Sequence, residues 1–374
     1  MQFAAIPGLE DVKANLLMAV RNAKVAHAQL FFGKEGSANL ALAIAYATYL
    51  NCENREADDA CGKCAACSKN NKLVHPDLHF VFPVATSKTV DKKPTSADYM
   101  KEWRKFALEN PFGSIHQWGE AIGVENKQPA ISAEETRSIV TKISMKAFEG
   151  EFKILILWLP EMMNQTSGNA LLKILEEPPA KTVFLLVANN HEKLLTTILS
   201  RTQKVMIRNF DENEINNYLT AQYECSEERA TKIAFIADGN MNEAIRLVNE
   251  DEEDHHEMFR EWMRKCFTFK VKDLMELGER FQKMGREGQK TLLHYGLSTM
   301  RECLVFQIAK QLSKLRPSEQ DFVDKFSKAT NSKVLENIGE QLNNSYFHIE
   351  RNANPKILFL DMSLQIAMIL KSKK

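Results

Sequence analysis

The stretch Phe31–Ala43, FFGKEGSANLALA, decides the fold. An apolar strand end runs into glycines and then into a helix, the outline of a phosphate-binding loop. Set against G-x-x-x-x-G-K-[ST], the match starts at Gly33 and runs through Gly36 to Asn39 and Leu40. A working loop uses its lysine to neutralise phosphate charge and the next hydroxyl to hold magnesium. Asn39 carries no charge and Leu40 cannot ligate a metal. Taken alone, the stretch reads better as the glycine turn between strand and helix of any α/β protein.

Outward from this turn, short apolar runs alternate with helical patterns up to about residue 208. The strand candidates are 29-QLFFG-33, 78-LHFVFPV-84, 152-FKILILWL-159, 182-TVFLLVA-188 and 204-KVMIR-208. Leu171, Ile174 and Leu175 show helical spacing closed by Pro178-Pro179. Continuous apolar strands separated by helices predict an α/β core, a parallel sheet covered on both faces. A polar segment at about 85–128, bearing Trp103 and Trp118, breaks the rhythm and reads as an insertion whose tryptophans face either the core or a partner. Residues 211–249 predict a small helical unit with a turn at Asp238-Gly239-Asn240. The acidic run 250-EDEEDHHE-257 reads as a solvated helix start or linker. The rest is helical, with Asn354-Pro355 as cap and first turn of the last helix.

Bulk properties bound the function. The 374 residues exceed one ordinary domain. Formal net charge is zero, which argues against a broad nucleic-acid-coating surface. The first residues, MQFAAIPGLEDVK, lack a signal peptide's basic start and apolar core. The apolar run 154-ILILWL-159 falls far short of the roughly 20 residues a membrane helix needs. A cytoplasmic chain with no membrane partner is expected.

A second loss falls at the end of the third strand candidate. ATPases with this core end that strand in Asp-Glu, which organises metal and attacking water. Here 153-KILILWLPEMMN-164 puts Trp158 and Leu159 there, with Glu161 beyond the strand end. The two losses argue against ATP hydrolysis at this chain's own site.

Cys52, Cys61, Cys64 and Cys67 follow C-x8-C-x2-C-x2-C. Closely spaced thiolates of this kind can enclose a tetrahedral zinc ion, and with no open position such a site is structural. An iron–sulfur cluster and a redox dithiol are the chemical alternatives. The ferredoxin continuation C-x3-C-P is absent, and a dithiol leaves two cysteines over. His75 lies close by in sequence, but four cysteines already complete a ligand set. Cys225, Cys266 and Cys303 stand singly in helical patterns and read as buried small hydrophobes. His255-His256 has no metal-binding partner spacing.

The phrase 169-NALLKILEEPP-179 followed by 183-VFLLVANNHEKLLTTILSRT-202 resembles the AAA+ subunits of DNA polymerase clamp loaders. The segments 27-HAQLFFG-33, 75-HPDLHFV-81 and 131-ISAEETRSIV-140 match in order, over about residues 5–250. The resemblance implies an AAA+ core at 1–208 with a zinc module at about 50–70, a helical lid at 209–250, and an all-α collar at 251–374. It implies that Ser200-Arg201-Thr202 stands for the family's Ser-Arg-Cys motif, with Arg201 reaching a neighbour's ATP. Asn189 falls at the first sensor position. Asn242 stands where the second sensor's arginine should lie. The implied partners are gamma/tau-type ATPases, a delta-type clamp-opening subunit, the sliding clamp and primer-template DNA. Within this family the losses point to a non-hydrolysing member. A divergent active ATPase and a stand-alone zinc-bearing nucleic-acid module are the other readings.

Overall fold

The computed structural model describes residues 1–87, 90, 92–124, 127–143, 146–249, 252–308, 317–351 and 353–371. Parts of the insertion (88, 89, 91, 125, 126) and the first two residues of the acidic run (250, 251) lie outside them, as does the expected lid–collar boundary. The chain divides into two compact units, Met1–Cys225 with Ala237–Ile245, and Ser226–Ile236 with Arg246–Lys374.

The first unit is built on five parallel strands: β1 (Ala28–Phe32), β2 (Leu78–Val81), β3 (Lys153–Trp158), β4 (Thr182–Ala188) and β5 (Gln203–Met206). Their order is β2-β3-β4-β1-β5, so β1, the strand that feeds the glycine turn, is interior. All five lie where the apolar runs predict them, with ends moved by a few residues. In registers such as Leu30↔Leu186 and Leu157↔Leu186, β1 and β3 flank β4. Every residue of β3 and β4 is buried, as a sheet covered on both faces requires.

Alternation then assigns the faces. Ala28, Leu30, Leu155, Leu157, Phe184 and Leu186 join one apolar cluster with Ile139 and Ile143 of one helix and Leu171, Ile174 and Leu175 of another. On the opposite face, Gln29 Nε2 donates to Tyr46 Oη at 3.3 Å and Phe31 packs on Tyr46.

The helices of this unit are α1 (Glu10–Arg21), α2 (Asn39–Leu50), α3 (Ala65–Asn70), α4 (Met100–Glu109), α5 (Ile115–Ala121), α6 (Ala133–Ile143), α7 (Gln165–Glu176), α8 (Thr196–Leu199) and α9 (Glu212–Tyr223). The sequence of α2, NLALAIAYATYL, has no charge, and every residue in it is buried. Such a helix is stable only inside a core. After α10 (Glu227–Ala237), the Asp238–Gly239 turn takes positive φ at both residues and leads into α11 (Met241–Asn249).

The insertion is folded. Its neck is a pair of backbone bonds, Val84 N to Ala130 O and Ala130 N to Val84 O, each 3.0 Å. Trp103 and Trp118 are fully buried, so both face the core. Trp103 stacks on Phe82 with ring centroids 4.2 Å apart, and Trp118 Nε1 donates to Pro83 O at 2.7 Å.

In the second unit, α12 (Glu252–Thr268), α13 (Val271–Lys283), α14 (Gly285–Ile308), α15 (Pro317–Ala329), α16 (Ser332–Glu350) and α17 (Pro355–Lys371) share a core around Phe259, Trp262, Phe281 and Phe359. Trp262 Nε1 donates to Ser363 Oγ at 2.8 Å. As expected, Asn354 Oδ1 caps α17, accepting from the amides of Lys356 (3.1 Å) and Ile357 (3.2 Å). No helix among the described residues is long and apolar enough to cross a membrane.

Candidate functional site

The glycine turn sits at the carboxyl end of β1, where open α/β sheets place ligands. Gly36 has φ +83°, and a Cβ there would lie 1.8 Å from Asn240 Oδ1. The backbone closes the same contact, with Met241 N donating to Gly36 O at 3.0 Å. Inside the turn, Asn39 is 3% exposed and its side chain is consumed locally. Its Nδ2 donates to Gly33 O (3.0 Å), Ala188 O (3.3 Å) and Asn189 Oδ1 (3.3 Å), and its Oδ1 accepts from Ser37 Oγ (2.9 Å). Leu40 is buried beside it. Neutral amides occupy the hydrogen-bonding positions at the turn, and the side chains at 39 and 40 offer neither a cation nor a metal ligand.

At the end of β3, Trp158 is 2% exposed, with its ring 5.1 Å from Trp103 and 5.8 Å from Phe106. An aspartate there would place a charge in an aromatic cluster, at a cost of several kcal/mol. Leu159 is also buried and turns the chain at φ 54°. Glu161 has a different task from metal binding. Its Oε1 accepts from the amides of Asn189 (2.8 Å) and Asn190 (2.9 Å). Burial pushes the Glu161 pKa up. Asn189 is therefore held from two sides, its backbone by Glu161 and its side chain by Asn39. Asn242 is half-buried in the first turn of α11.

Arg201 follows the short α8, and its side chain is 36% exposed. Its Nη1 donates to Thr197 O (2.9 Å) and Ser200 Oγ (3.3 Å), and its Nη2 lies 2.7 Å from Glu176 Oε1 at the end of α7. Thr202 is mostly buried, its hydroxyl donating to Ile198 O at 3.1 Å. An ion pair between residues 25 apart leaves no local signal in the sequence.

The four cysteines converge as their spacing predicts. Their sulfurs all lie within 4.8 Å of one another, and none is in a disulfide. Sulfurs at the corners of a tetrahedron with ~2.3 Å metal bonds stand ~3.8 Å apart, so the cage fits a metal ion. Backbone amides face the sulfurs: Cys61 N lies 3.3 Å from Cys52 Sγ, Cys64 N 3.4 Å from Cys61 Sγ, and Cys67 N 3.4 Å from Cys64 Sγ. Gly62 takes φ +71° in the knuckle between the second and third. Amide donors from Lys63 and Cys64 bring the Cys61 thiol down to about 7, whereas burial pushes Cys52 and Cys67 up. A cation among the sulfurs would offset that cost by displacing protons.

Several contacts fasten the module to the rest of the unit. Asp59 accepts from the amides of Phe3 (3.1 Å) and Ala4 (2.9 Å). Lys69 pairs with Glu149 at 2.6 Å, and His75 Nε2 lies 3.5 Å from the same carboxylate. His75 is thus used outside the cage, with burial holding its pKa low. Cys266 and Cys303 are fully buried, as expected. Cys225 corrects the reading, being only partly buried just past the end of α9. His256 Nδ1 is hydrogen-bonded to Tyr295 Oη at 2.8 Å.

The sequence profile of the family described as "DNA polymerase III, delta subunit" matches residues 8–211, more than half of the chain. The tau subunit of DNA polymerase III from Bacillus subtilis (strain 168) is 26% identical over 67% of this chain and 37% of its own length. The delta' subunit from Pseudomonas aeruginosa PAO1 is 31% identical over 48% of this chain and 42% of its own. The chain thus spans well under half the length of these relatives. A DNA polymerase III gamma-subunit-related protein of Thermotoga maritima aligns with 96% of this chain and 99% of its own at 15% identity, with a TM-score of 0.40, too loose to carry an argument. The profile match settles the family: this chain belongs to the DNA polymerase III delta subunits, as a clamp-loader family member of the delta' type.

Proposed function

We propose that this chain is the non-hydrolysing subunit of a replicative clamp loader and completes a neighbour's active site with Arg201. One observation carries the reading. Asn39, Leu40, Trp158 and Leu159, at the positions an ATPase gives to phosphate and magnesium, are buried, while Arg201 stays partly exposed. A guanidinium supplied in trans stabilises charge that builds on the transferred phosphoryl group, worth about 10³-fold or more in rate. The Glu176 pair does not stand against this role. Its two side chains are 36% and 49% exposed, and such surface pairs contribute only about 0–1 kcal/mol.

On this reading residues 1–208 form the AAA+ core, 209–250 the lid and 251–374 the collar through which subunits associate. Partners are gamma/tau-type ATPases and a delta-type subunit, acting on the sliding clamp and primed DNA. The zero net charge assigns this chain a small share of the DNA grip. Cys52, Cys61, Cys64 and Cys67 would hold zinc. That ion would cross-link four thiolates and add folding free energy, with no open position for catalysis.

The test is DNA-stimulated ATPase of the loader reconstituted with its cognate subunits, wild type against Arg201→Ala. Turnover should fall by at least about tenfold with the assembly intact by sizing. Unchanged turnover returns Arg201 to a structural role.

A further inference from the structure

The insertion reaches across the sheet. It leaves the chain after β2, one edge strand, yet its Phe112 packs on Phe210 and Tyr218, which follow β5, the other edge. The ring centroids are 5.5 Å and 5.8 Å apart, both edge-on, and Phe112 is 3% exposed. On the way, Trp103 and Phe106 cover Trp158, the last residue of β3. The path therefore passes over the carboxyl ends of the strands, where ligands of open α/β sheets bind.

Its far contact is mechanically connected to the glycine turn. Phe210 N donates to Gly239 O at 3.2 Å, and Gly239 adjoins the Asn240 that backs onto Gly36. Tyr218 lies on α9, whose capping residue Glu214 also pairs with Arg208 at 2.6 Å and accepts from Leu9 N at 3.3 Å. One apolar contact thus ties the insertion to α9, to the segment past β5 and, through the Asp238–Asn240 turn, to the glycine turn.

We propose that the insertion is an internal strut that takes over the structural task a nucleotide performs in a working ATPase, holding α9 closed on the sheet with no ligand. A nucleotide bridges the two parts by contacts that come and go with binding and hydrolysis. A covalently carried phenylalanine bridges them permanently. This rests on the reading that the chain does not hydrolyse ATP, adds that its glycine turn takes no nucleotide, and is independent of the role of Arg201.

Hydrogen exchange on the full chain tests it, comparing wild type, Phe112→Ala and Tyr218→Ala, each with and without magnesium ATP. Each variant should exchange the α9 amides at least about tenfold faster while β3 and β4 keep their protection. ATP should leave wild-type α9 unchanged. Exchange at α9 within about twofold of wild type in both variants would overturn the strut and leave the nucleotide-free reading standing. Slower wild-type α9 exchange with ATP would overturn both. If Phe112→Ala also loses sheet protection, the half-buried Tyr218→Ala decides.

Discussion

Replacing Asn39 with alanine is the sharpest probe of how the glycine turn is held. The amide has two N–H hydrogens facing three acceptors at 3.0–3.3 Å, so two donated bonds are the most it can satisfy at once. Its Oδ1 shares the single Ser37 hydroxyl hydrogen with Lys34 O, which is closer at 2.6 Å. Alanine therefore removes two to three bonds worth about 1 kcal/mol each, and a few tenths return through its better helix propensity. The net cost is about 2 kcal/mol. In urea, with a slope of about 2–3 kcal/mol/M for a unit of this size, the midpoint should drop by roughly 0.7–1 M. Tryptophan fluorescence reports it well, since Trp103, Trp118 and Trp158 all lie in the first unit. A drop under about 0.2 M would refute the reasoning. Asn39→Lys loses the same bonds and must also house a cation in a turn backed by Asn240. It should gain no magnesium-ATP binding. A lysine variant with wild-type stability that bound ATP would mean the turn is an open cradle.

Two other outcomes are expected. The chain should carry one zinc by elemental analysis, and Cys67→Ser should lose it and speed hydrogen exchange in residues 3–6, where the amides of Phe3 and Ala4 rest on Asp59. Full protection of that segment without metal would separate the two. Asp77 gives a pH signature. Burial opposes its charge, but the amides of Gly150, Glu149 and Phe148 outweigh that and hold its pKa below the ordinary value of 3.8. A depressed carboxylate contributes stability that is present above the unfolded pKa and lost as pH falls through the folded one. The stability gap between wild type and Asp77→Asn should therefore be widest near neutrality and shrink below about pH 4. Urea midpoints of both proteins at pH 6 and pH 3 check this, and a constant gap would contradict it.

The sheet was legible because its central strands, buried on both faces, are continuously apolar and bounded by turn residues, although α2 is as apolar and the edge strand β5 is largely exposed. Only the ends moved: β5 is Gln203–Met206 where the apolar run suggested 204–208. The cysteine cage was legible because its ligands are close in sequence. Contacts formed between distant residues were not. Nothing local pairs Arg201 with Glu176, or brings Asn240 against Gly36 more than 200 residues away. The missing acidic pair and the insertion read as unrelated oddities, yet Trp158 belongs to the aromatic cluster that the insertion builds. Cys225 was misjudged because the helical pattern around it ends just short of it, at Tyr223.

The neck between Val84 and Ala130 carries a last consequence, for how freely this region can change length. Its ends are already joined by two backbone bonds, so chain added in an exposed part of the insertion leaves their separation unchanged. Doubling the enclosed chain would add only about 0.6 kcal/mol of closure entropy. An exposed surface on the far side of the neck, away from the Trp103 and Phe106 contacts with Trp158, can be lengthened, or made to carry a fluorophore or a tag, without shifting β2 or β3. The site for such a graft is the surface of α5 away from Trp118, not the Phe112 corner.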